Sequence, residues 1–388
     1  MLEVLWLLLP VAAISGWLVA QRNLLPKRNH STFNLSPDYF KGLNYLLNEQ
    51  PDKAIDSFIK LIDVDSDTVE THLALGVLFR RRGEVNRAIR IHQSLVARPA
   101  LNSQQRSLAL LELSHDYRRA GLLDRAEALF LELTASEEHR VHAYQQLLDI
   151  YQQEHEWEKA IQIAKKLASA SGEPMWTLIA QYYCEQAEQF AKLHQSLATK
   201  QVLKQALNTD PTCVRASLLE GKLALAEGEI TKAILAFKRI EHQDPDYLPE
   251  AIEPLQCCYQ QLGQQQEFIT YLREILARYG GITPTLVLAD LLKQQQHEQE
   301  VADFIIEQLH KRPSIRGLNY LLNLALTQTS GVTHEHLLLL KEMTTRLLKN
   351  KPIYKCSHCG FMGKSLHWQC PSCKQWNTAK PIQGLEGE

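Results

Sequence analysis

The chain has 388 residues, of which 45% are hydrophobic and 22% charged, and this length predicts two or three structural units rather than one. Its formal net charge of -2 and pI near 6.7 predict no bulk attraction to nucleic acid. Four of its eight cysteines are scattered through helical-looking sequence, unlike a disulfide framework: Cys184, Cys213, Cys257 and Cys258. We expect these four to be small buried apolar side chains in a protein of a reducing compartment.

The N-terminal segment 1–21 contains an apolar run, LEVLWLLLPVAAISGWLVA, whose one charge is Glu3 at its edge. A helix of this length spans about 28 Å, close to the hydrocarbon thickness of a bilayer. The nearby basic residues all follow the run: Arg22, Lys27 and Arg28. This order predicts a transmembrane anchor at 1–21 with the body in the cytoplasm, followed by a juxtamembrane linker at 22–34. An export signal is the alternative.

From about residue 36 the sequence repeats at intervals of 34 to 38 residues. Three columns share this spacing: Ala54, Ala88, Ala126 and Ala160; Tyr45, Phe79, Tyr117 and Tyr151; and Gly42, Gly76 and Ser114. Small residues let two antiparallel helices approach closely, and aromatic residues fill the space between helix pairs. The pattern resembles the tetratricopeptide repeat, which implies an α-solenoid over 35–350 with about eight to nine helix pairs.

The repeats are predicted to start near residues 35, 69, 107, 141, 180, 214, 249 and 283, and a further helix pair at 314–327 and 334–350 continues the array. Some repeats are degenerate, with Thr199 and Phe268 where alanine is expected and Lys293 where an aromatic residue is expected. Solenoids of this kind bind protein segments on extended surfaces.

The search for catalytic motifs is negative. The sequence lacks H-E-x-x-H, a Gly-rich phosphate loop, a G-x-S-x-G elbow and a dinucleotide-binding fingerprint. We therefore predict no enzyme, no catalytic residue and no organic cofactor site. The arginine clusters before Gly83 and Gly121 are interpreted as capped helix ends rather than as a basic patch, and His92 as a surface or core residue.

The C-terminal sequence CSHCG at 356–360 and CPSC at 370–373 contains two Cys-x2-Cys pairs separated by ten residues. This spacing predicts that two turns direct four thiolates at one tetrahedral metal ion: Cys356, Cys359, Cys370 and Cys373. Four protein ligands leave no open coordination position, so we expect a structural ion. A unit of about thirty residues has too little core to fold without such an ion. The predicted module is 351–380, followed by a tail at 381–388.

The two knuckles resemble those of rubredoxins and zinc ribbons. The loop between them is shorter than in electron-transfer rubredoxins, and Lys374 stands where rubredoxins commonly have glycine, which argues against electron transfer and leaves iron versus zinc open. The module also carries five lysines and no carboxylate, together with Trp368 and Trp376. We interpret the two tryptophans as a small core or as a docking face near the C-terminal end of the solenoid. The alternative is that they bind nucleic acid, in a membrane-tethered RNA- or ribosome-associated factor.

The anchor, the repeat array and the four-cysteine module, in this order, are similar to the lipopolysaccharide assembly protein B family. The resemblance implies an all-α chain, apart from its rubredoxin-like or zinc-ribbon module, that crosses the cell inner membrane once and lies mostly in the cytoplasm. It implies a regulator of lipopolysaccharide synthesis that acts with the protease FtsH to promote degradation of the lipid A pathway deacetylase. Other lipopolysaccharide-synthesis or membrane proteins are further expected partners, and homodimer formation stays open.

Overall fold

The structure is a computed structural model that describes residues 69–99, 101–294, 298–349, 351–385 and 387–388, with scattered positions between 14 and 57. The predicted anchor at 1–21 and linker at 22–34 lie outside the described residues, apart from Ile14, Ser15 and Trp17. Within the described part of the chain, no helix is long and apolar enough to cross a bilayer.

The chain divides into two compact units, Met1–Ser136 and Glu137–Glu388. The described part of the first unit contains two helix pairs: α1 (Val69–Arg81) with α2 (Val85–Val96), and α3 (Ser103–Arg119) with α4 (Leu123–Leu133). Helix α3 begins at a capping box, because the side chain of Asn102 accepts a hydrogen bond of 2.7 Å from the backbone N–H of Gln105.

The second unit continues the pattern with helix pairs of similar length. They are α5 (Arg140–Glu154) and α6 (Trp157–Ser171), α7 (Trp176–Lys192) and α8 (Ser196–Thr209), α9 (Val214–Ala226) and α10 (Ile230–Gln243), α11 (Leu248–Leu262) and α12 (Gln265–Arg278), α13 (Ile282–Lys293) and α14 (Glu298–Lys311), and α15 (Ile315–Gln328) and α16 (Val332–Lys349). A 3-10 turn, Pro245–Tyr247, precedes α11. Each pair packs on the next one, so that apolar faces which one pair cannot bury alone become a continuous core.

The first helices of the described pairs begin within four residues of the predicted repeat starts, from Val69 in α1 to Ile282 in α13. The additional pair predicted at the end of the array is present as α15 and α16. The predicted repeat near residue 35 is described only at scattered positions. The mostly helical tetratricopeptide-like architecture is therefore confirmed in the described residues, and the four-cysteine module adds a small sheet to it.

The repeat columns reflect close contact between the two helices of a pair. The four column alanines are all fully buried: Ala54, Ala88, Ala126 and Ala160. A Cβ atom added to Gly221 in α9 would lie 2.5 Å from Cε1 of Phe237 in α10, and one added to Gly76 in α1 would lie 2.3 Å from Nε2 of His92 in α2. The helices approach so closely that these two positions have no room for a side chain.

Arg80, the first residue of the first arginine cluster, belongs to a largely buried polar network of the first unit. Arg80 donates hydrogen bonds to Glu112 Oε2 (2.6 Å) and to Asp116 Oδ1 (2.8 Å), and His92 Nδ1 lies 2.5 Å from the other oxygen of Asp116. The side chains of His92 and Asp116 are fully buried. His92, which the sequence placed either on the surface or in the core, therefore lies in the core. At Gly83, φ is +84°, which agrees with the predicted left-handed cap.

The scattered cysteines follow the prediction with one exception. Cys184, Cys213 and Cys258 are buried. Cys257 is exposed, so its predicted burial was wrong. Its neighbour Cys258 occupies the inward face of α11, and successive residues of a helix cannot both point to the same side.

We predict that Gly221→Ala lowers the free energy of unfolding by about 1–3 kcal/mol, because the new methyl group overlaps the ring of Phe237. Urea unfolding followed by circular dichroism measures this loss. In a Phe237→Leu background the same substitution should cost clearly less, since the ring atoms that it meets are gone. An equal loss in both backgrounds would show that the two residues do not restrict each other.

Candidate metal centre

The C-terminal module is built on a three-stranded antiparallel sheet of β1 (Tyr354–Cys356), β2 (Met362–Gly363) and β3 (Ala379–Pro381) in the order β2-β1-β3. Tyr354 pairs with Gly363 on one side and with Pro381 on the other. β3 crosses the predicted boundary at 380, so the strand draws the first residue of the predicted tail into the sheet.

Both Cys-x2-Cys segments form the same tight turn. In the first, the backbone N–H of Gly360 donates to the carbonyl oxygen of Cys356 (3.0 Å); in the second, the N–H of Lys374 donates to that of Cys370 (2.9 Å). Gly360 and Lys374 occupy equivalent positions with φ of +78° and +60°. Lysine thus takes the left-handed conformation at the position where rubredoxins commonly have glycine, at a cost of about 1 kcal/mol.

The two turns bring the four predicted sulfur atoms together, all within 4.8 Å of one another. Cys356 Sγ lies 3.8 Å from Cys373 Sγ, and Cys359 Sγ lies 3.6 Å from Cys370 Sγ. Four sulfurs at about 2.3 Å from a tetrahedral ion are separated by about 3.8 Å, so the donor set fits a zinc-sized ion. The module thus holds one structural metal ion.

The surroundings of the sulfurs favour thiolates unequally. Burial opposes ionisation of Cys356, but hydrogen bonds from the Thr378 hydroxyl and from the backbone N–H groups of Cys359 and His358 lower its pKa to about 6. The Gln375 backbone N–H favours a thiolate at Cys373, yet burial and the neighbouring sulfurs raise its pKa to about 12. Four adjacent thiolates therefore require a cation, and binding of the ion displaces protons.

Trp376 attaches the second knuckle to the repeat helices. Its ring lies edge-to-face on Tyr182 of α7 (centroids 5.8 Å apart) and on Trp157 of α6 (6.3 Å). Its Nε1–H donates a 3.0 Å hydrogen bond to Oε1 of Gln152 in α5, which also accepts one from Gln369 (3.2 Å). Aromatic pairs of this kind each contribute about 0.5–1.5 kcal/mol beyond the area that they bury.

Arg215 of α9 lies beneath both tryptophans of the module. Its guanidinium carbon is 5.9 Å from the ring centroid of Trp368 and 6.0 Å from that of Trp376. Only 3% of its side chain is exposed, and it donates hydrogen bonds to Glu185 (2.8 Å) and Glu188 (2.7 Å). Burial disfavours the charged form, but the two carboxylates outweigh it and raise the pKa of Arg215. The positive charge is thus paired from below and covered by aromatic faces from above.

The remaining contacts extend along the array. Tyr247 stacks on Trp368 at 5.4 Å and donates a 2.8 Å hydrogen bond to the carbonyl oxygen of Ala379. Lys380 pairs with Asp244 (2.8 Å) and Asp246 (2.9 Å). Burial disfavours its ammonium group, yet these carboxylates raise the pKa of Lys380.

The first helices of six successive pairs each contribute a contact to the C-terminal segment: Gln152, Tyr182, Arg215, Glu250, Thr283 and Arg316. The module therefore docks along the first helices from α5 to α11, and the residues that follow it extend the contact to α13 and α15. The expectation that it sits near the C-terminal end of the solenoid was wrong, because its contacts begin at the first pair of the second unit. The predicted tail participates too, because Glu388 accepts hydrogen bonds from Thr283 N (3.0 Å) and Arg316 (2.5 Å).

Trp368 and Trp376 thus form the docking face that the sequence favoured. Both rings lie against residues of the same chain, so they are not the exposed stacking platforms that single-stranded nucleic acid requires. Sequence reasoning missed the receiving residues, chiefly Arg215 and Tyr182. The one signal for Arg215 was its place at the start of a helix, where a cation is unfavourable unless something compensates it.

We predict that the double substitution Cys370→Ser, Cys373→Ser removes the metal and unfolds the module while the repeat helices persist, because the module has no other core. Metal content by mass spectrometry should fall from one ion per chain to none, with nearly unchanged far-ultraviolet circular dichroism. Cys257→Ser is the matched control and should retain the ion, since Cys257 is exposed and far along the sequence from the knuckles. A folded, protease-resistant module without metal would contradict the structural role.

We predict that Trp376→Ala releases the second knuckle from the array but leaves the four sulfurs in place. The expected loss is roughly 3 kcal/mol, at the lower end for buried tryptophans because Trp376 is only partly buried. Limited proteolysis should then cut the module faster while the bound metal stays at one ion per chain. Trp176→Ala is the control, since Trp176 is 56% exposed and should tolerate the same change. Equal cleavage of both variants would refute the docking role.

Two family models match the chain, and they agree with these two parts. A rubredoxin metal binding domain matches residues 354–381, and a tetratricopeptide repeat matches residues 195–247. Among solved structures, the crystal structure of MamA protein is 19% identical, covers 44% of this chain and 90% of its own, and has a TM-score of 0.30.

Curated relatives match over the whole length. Lipopolysaccharide assembly protein B of Escherichia coli (strain K12) is 40% identical over 388 residues, and the alignment covers 100% of both chains. The protein of that name from Haemophilus influenzae (strain ATCC 51907 / DSM 11121 / KW20 / Rd) is 36% identical over 398 residues and also covers 100% of both. With this identity along its full length and the matched metal-binding module, the chain belongs to the lipopolysaccharide assembly protein B family.

Proposed function

We propose that the protein is a non-enzymatic adaptor in lipopolysaccharide assembly, anchored in the inner membrane by residues 1–21 with its body in the cytoplasm. The name of the full-length relatives, lipopolysaccharide assembly protein B, supports the pathway. The observation that carries the adaptor role is the docking of a closed four-cysteine module, together with Glu388, across the first helices of six repeat pairs. That arrangement builds a rigid surface and offers no open metal coordination position for a substrate.

The docked module changes which surface a client meets. On the second unit, the side formed by the first helices is covered around Tyr182 and Arg215, where a bare repeat array offers a groove. A client of this unit therefore contacts the outer surface of the module together with the neighbouring helices. The metal ion takes part indirectly, because it shapes the two knuckles that carry Trp368 and Trp376.

The finer proposal follows from the family resemblance. The adaptor presents the lipid A pathway deacetylase to the protease FtsH and thereby controls how much precursor enters lipid A synthesis. An anchor at 1–21 confines the client to the membrane plane of the protease, which raises its effective concentration there without any new contact. A weak grip by the repeat array is then sufficient for delivery.

The decisive experiment measures the half-life of the deacetylase in Escherichia coli cells in which this protein replaces the bacterium's own relative. We predict a short half-life with the unchanged chain and a several-fold longer one with Cys370→Ser, Cys373→Ser or with Trp376→Ala. Cys257→Ser and Trp176→Ala are the matched controls and should preserve the short half-life. Normal turnover with the metal-free variant would contradict the proposal.

Mild crosslinking followed by affinity purification of the full chain identifies the partners directly. Recovery of FtsH and the deacetylase supports delivery to the protease. Recovery of RNA or ribosomal proteins with neither of them supports the alternative of a membrane-tethered RNA-associated factor.

A further inference from the structure

The basic residues near the C-terminus are segregated from acidic ones. Between Glu342 and Glu386 the sequence contains no Asp or Glu but seven basic residues: Arg346, Lys349, Lys351, Lys355, Lys364, Lys374 and Lys380. The whole chain has a net charge of -2, so this stretch is a local concentration of positive charge. Lys380 and Arg346 pair with carboxylates outside the stretch. Lys355 in β1 and Lys364, directly after β2, have exposed side chains.

The β1–β2 hairpin turns one face toward the repeat helices and the other away from them. Tyr354 points inward and donates a 2.5 Å hydrogen bond to Glu250 of α11. Because side chains alternate along a strand, the next residue, Lys355, points outward, as does its cross-strand partner Met362. Met362 is 54% exposed. The outer face therefore combines an apolar side chain with lysines.

Helix α16 ends next to this hairpin and exposes apolar residues of its own. Leu339, Met343 and Leu347 lie one turn apart and are 57%, 56% and 54% exposed. The ammonium group of Lys364 donates a 3.1 Å hydrogen bond to the carbonyl oxygen of Lys349, which joins the hairpin to the end of the helix. The last helix of a repeat array normally presents a polar outer side, so an apolar stripe here indicates a contact.

We propose that this cationic apolar surface, formed by Leu339, Met343, Leu347, Met362, Lys355 and Lys364, binds an anionic lipid surface. The apolar side chains enter the boundary between headgroups and acyl chains, and the lysines lie against lipid phosphates. A second copy of the chain fits poorly, because a twofold contact brings two patches of the same positive charge together and neither supplies the opposite charge. The inference goes beyond the adaptor function and makes no use of residues 1–21.

The test uses the full chain with the photo-crosslinker p-benzoylphenylalanine in place of Met343 or Met362. Vesicles contain either phosphatidylglycerol with phosphatidylethanolamine or phosphatidylcholine alone. The control position is Leu197 in α8, which is 72% exposed outside this surface. Lipid adducts, counted by mass spectrometry, are expected at both methionine positions with anionic vesicles and at background level at Leu197. Equal adducts at all three positions, or equal adducts with neutral vesicles, overturn the proposal.

Charge variants separate this surface from any other route to the membrane. Lys355→Gln with Lys364→Gln should lower the adduct yield at position 362 at least fivefold, since each lysine near an anionic surface raises the membrane affinity about fivefold. Lys166→Gln with Lys204→Gln removes the same charge from exposed positions elsewhere and should leave the yield unchanged. Crosslinks to a second copy of the chain in place of lipid, or equal yields from both double variants, refute the lipid assignment.

Discussion

The C-terminal module is too small to bury a core of its own, and the organisation of Glu137–Glu388 follows from how it is stabilised. The ion holds the two knuckles together, but the module alone has no apolar interior in which its tryptophan rings could be buried. Trp376 packs against Trp157 and Tyr182, and Trp368 packs against Tyr247. The apolar core of the module is thus supplied by repeat helices far away in sequence.

Arg215 shows why this docking is specific rather than a general apolar contact. A buried guanidinium group is costly unless its charge and its hydrogen-bond donors are satisfied. Glu185 and Glu188 supply the counter-charges along one edge, and the rings of Trp368 and Trp376 cover the group. The module therefore completes a polar site that the helices alone leave open to water.

The sequence revealed those features that depend on neighbouring or regularly spaced residues. Close helix packing demands small residues at fixed intervals, which is why Ala88 and Gly76 could be identified, and metal binding demands paired cysteines at a short spacing. The docking contacts do not recur at a fixed spacing in the sequence. Trp376 and Gln152, for example, are 224 positions apart, and nothing in the sequence around either residue indicates the other. Burial of Cys257 was wrong for a related reason, because composition does not state which side of a helix a residue occupies.

Metal binding and docking on the repeat array are therefore linked thermodynamically, although none of the four ligand sulfurs contacts a repeat helix in the contacts described. An ion that binds the folded module and not the unfolded one stabilises every contact that the folded module makes. Those contacts run from Gln152 in α5 to Arg316 in α15, through the sheet and the chain's last residue. Loss of the ion therefore weakens the contacts of the C-terminal segment with six helices at once. By the same linkage, docking on the repeat array favours the folded module and so favours metal binding. The ion acts as a structural element of the whole second unit, because the module that it folds bridges most of that unit's helix pairs.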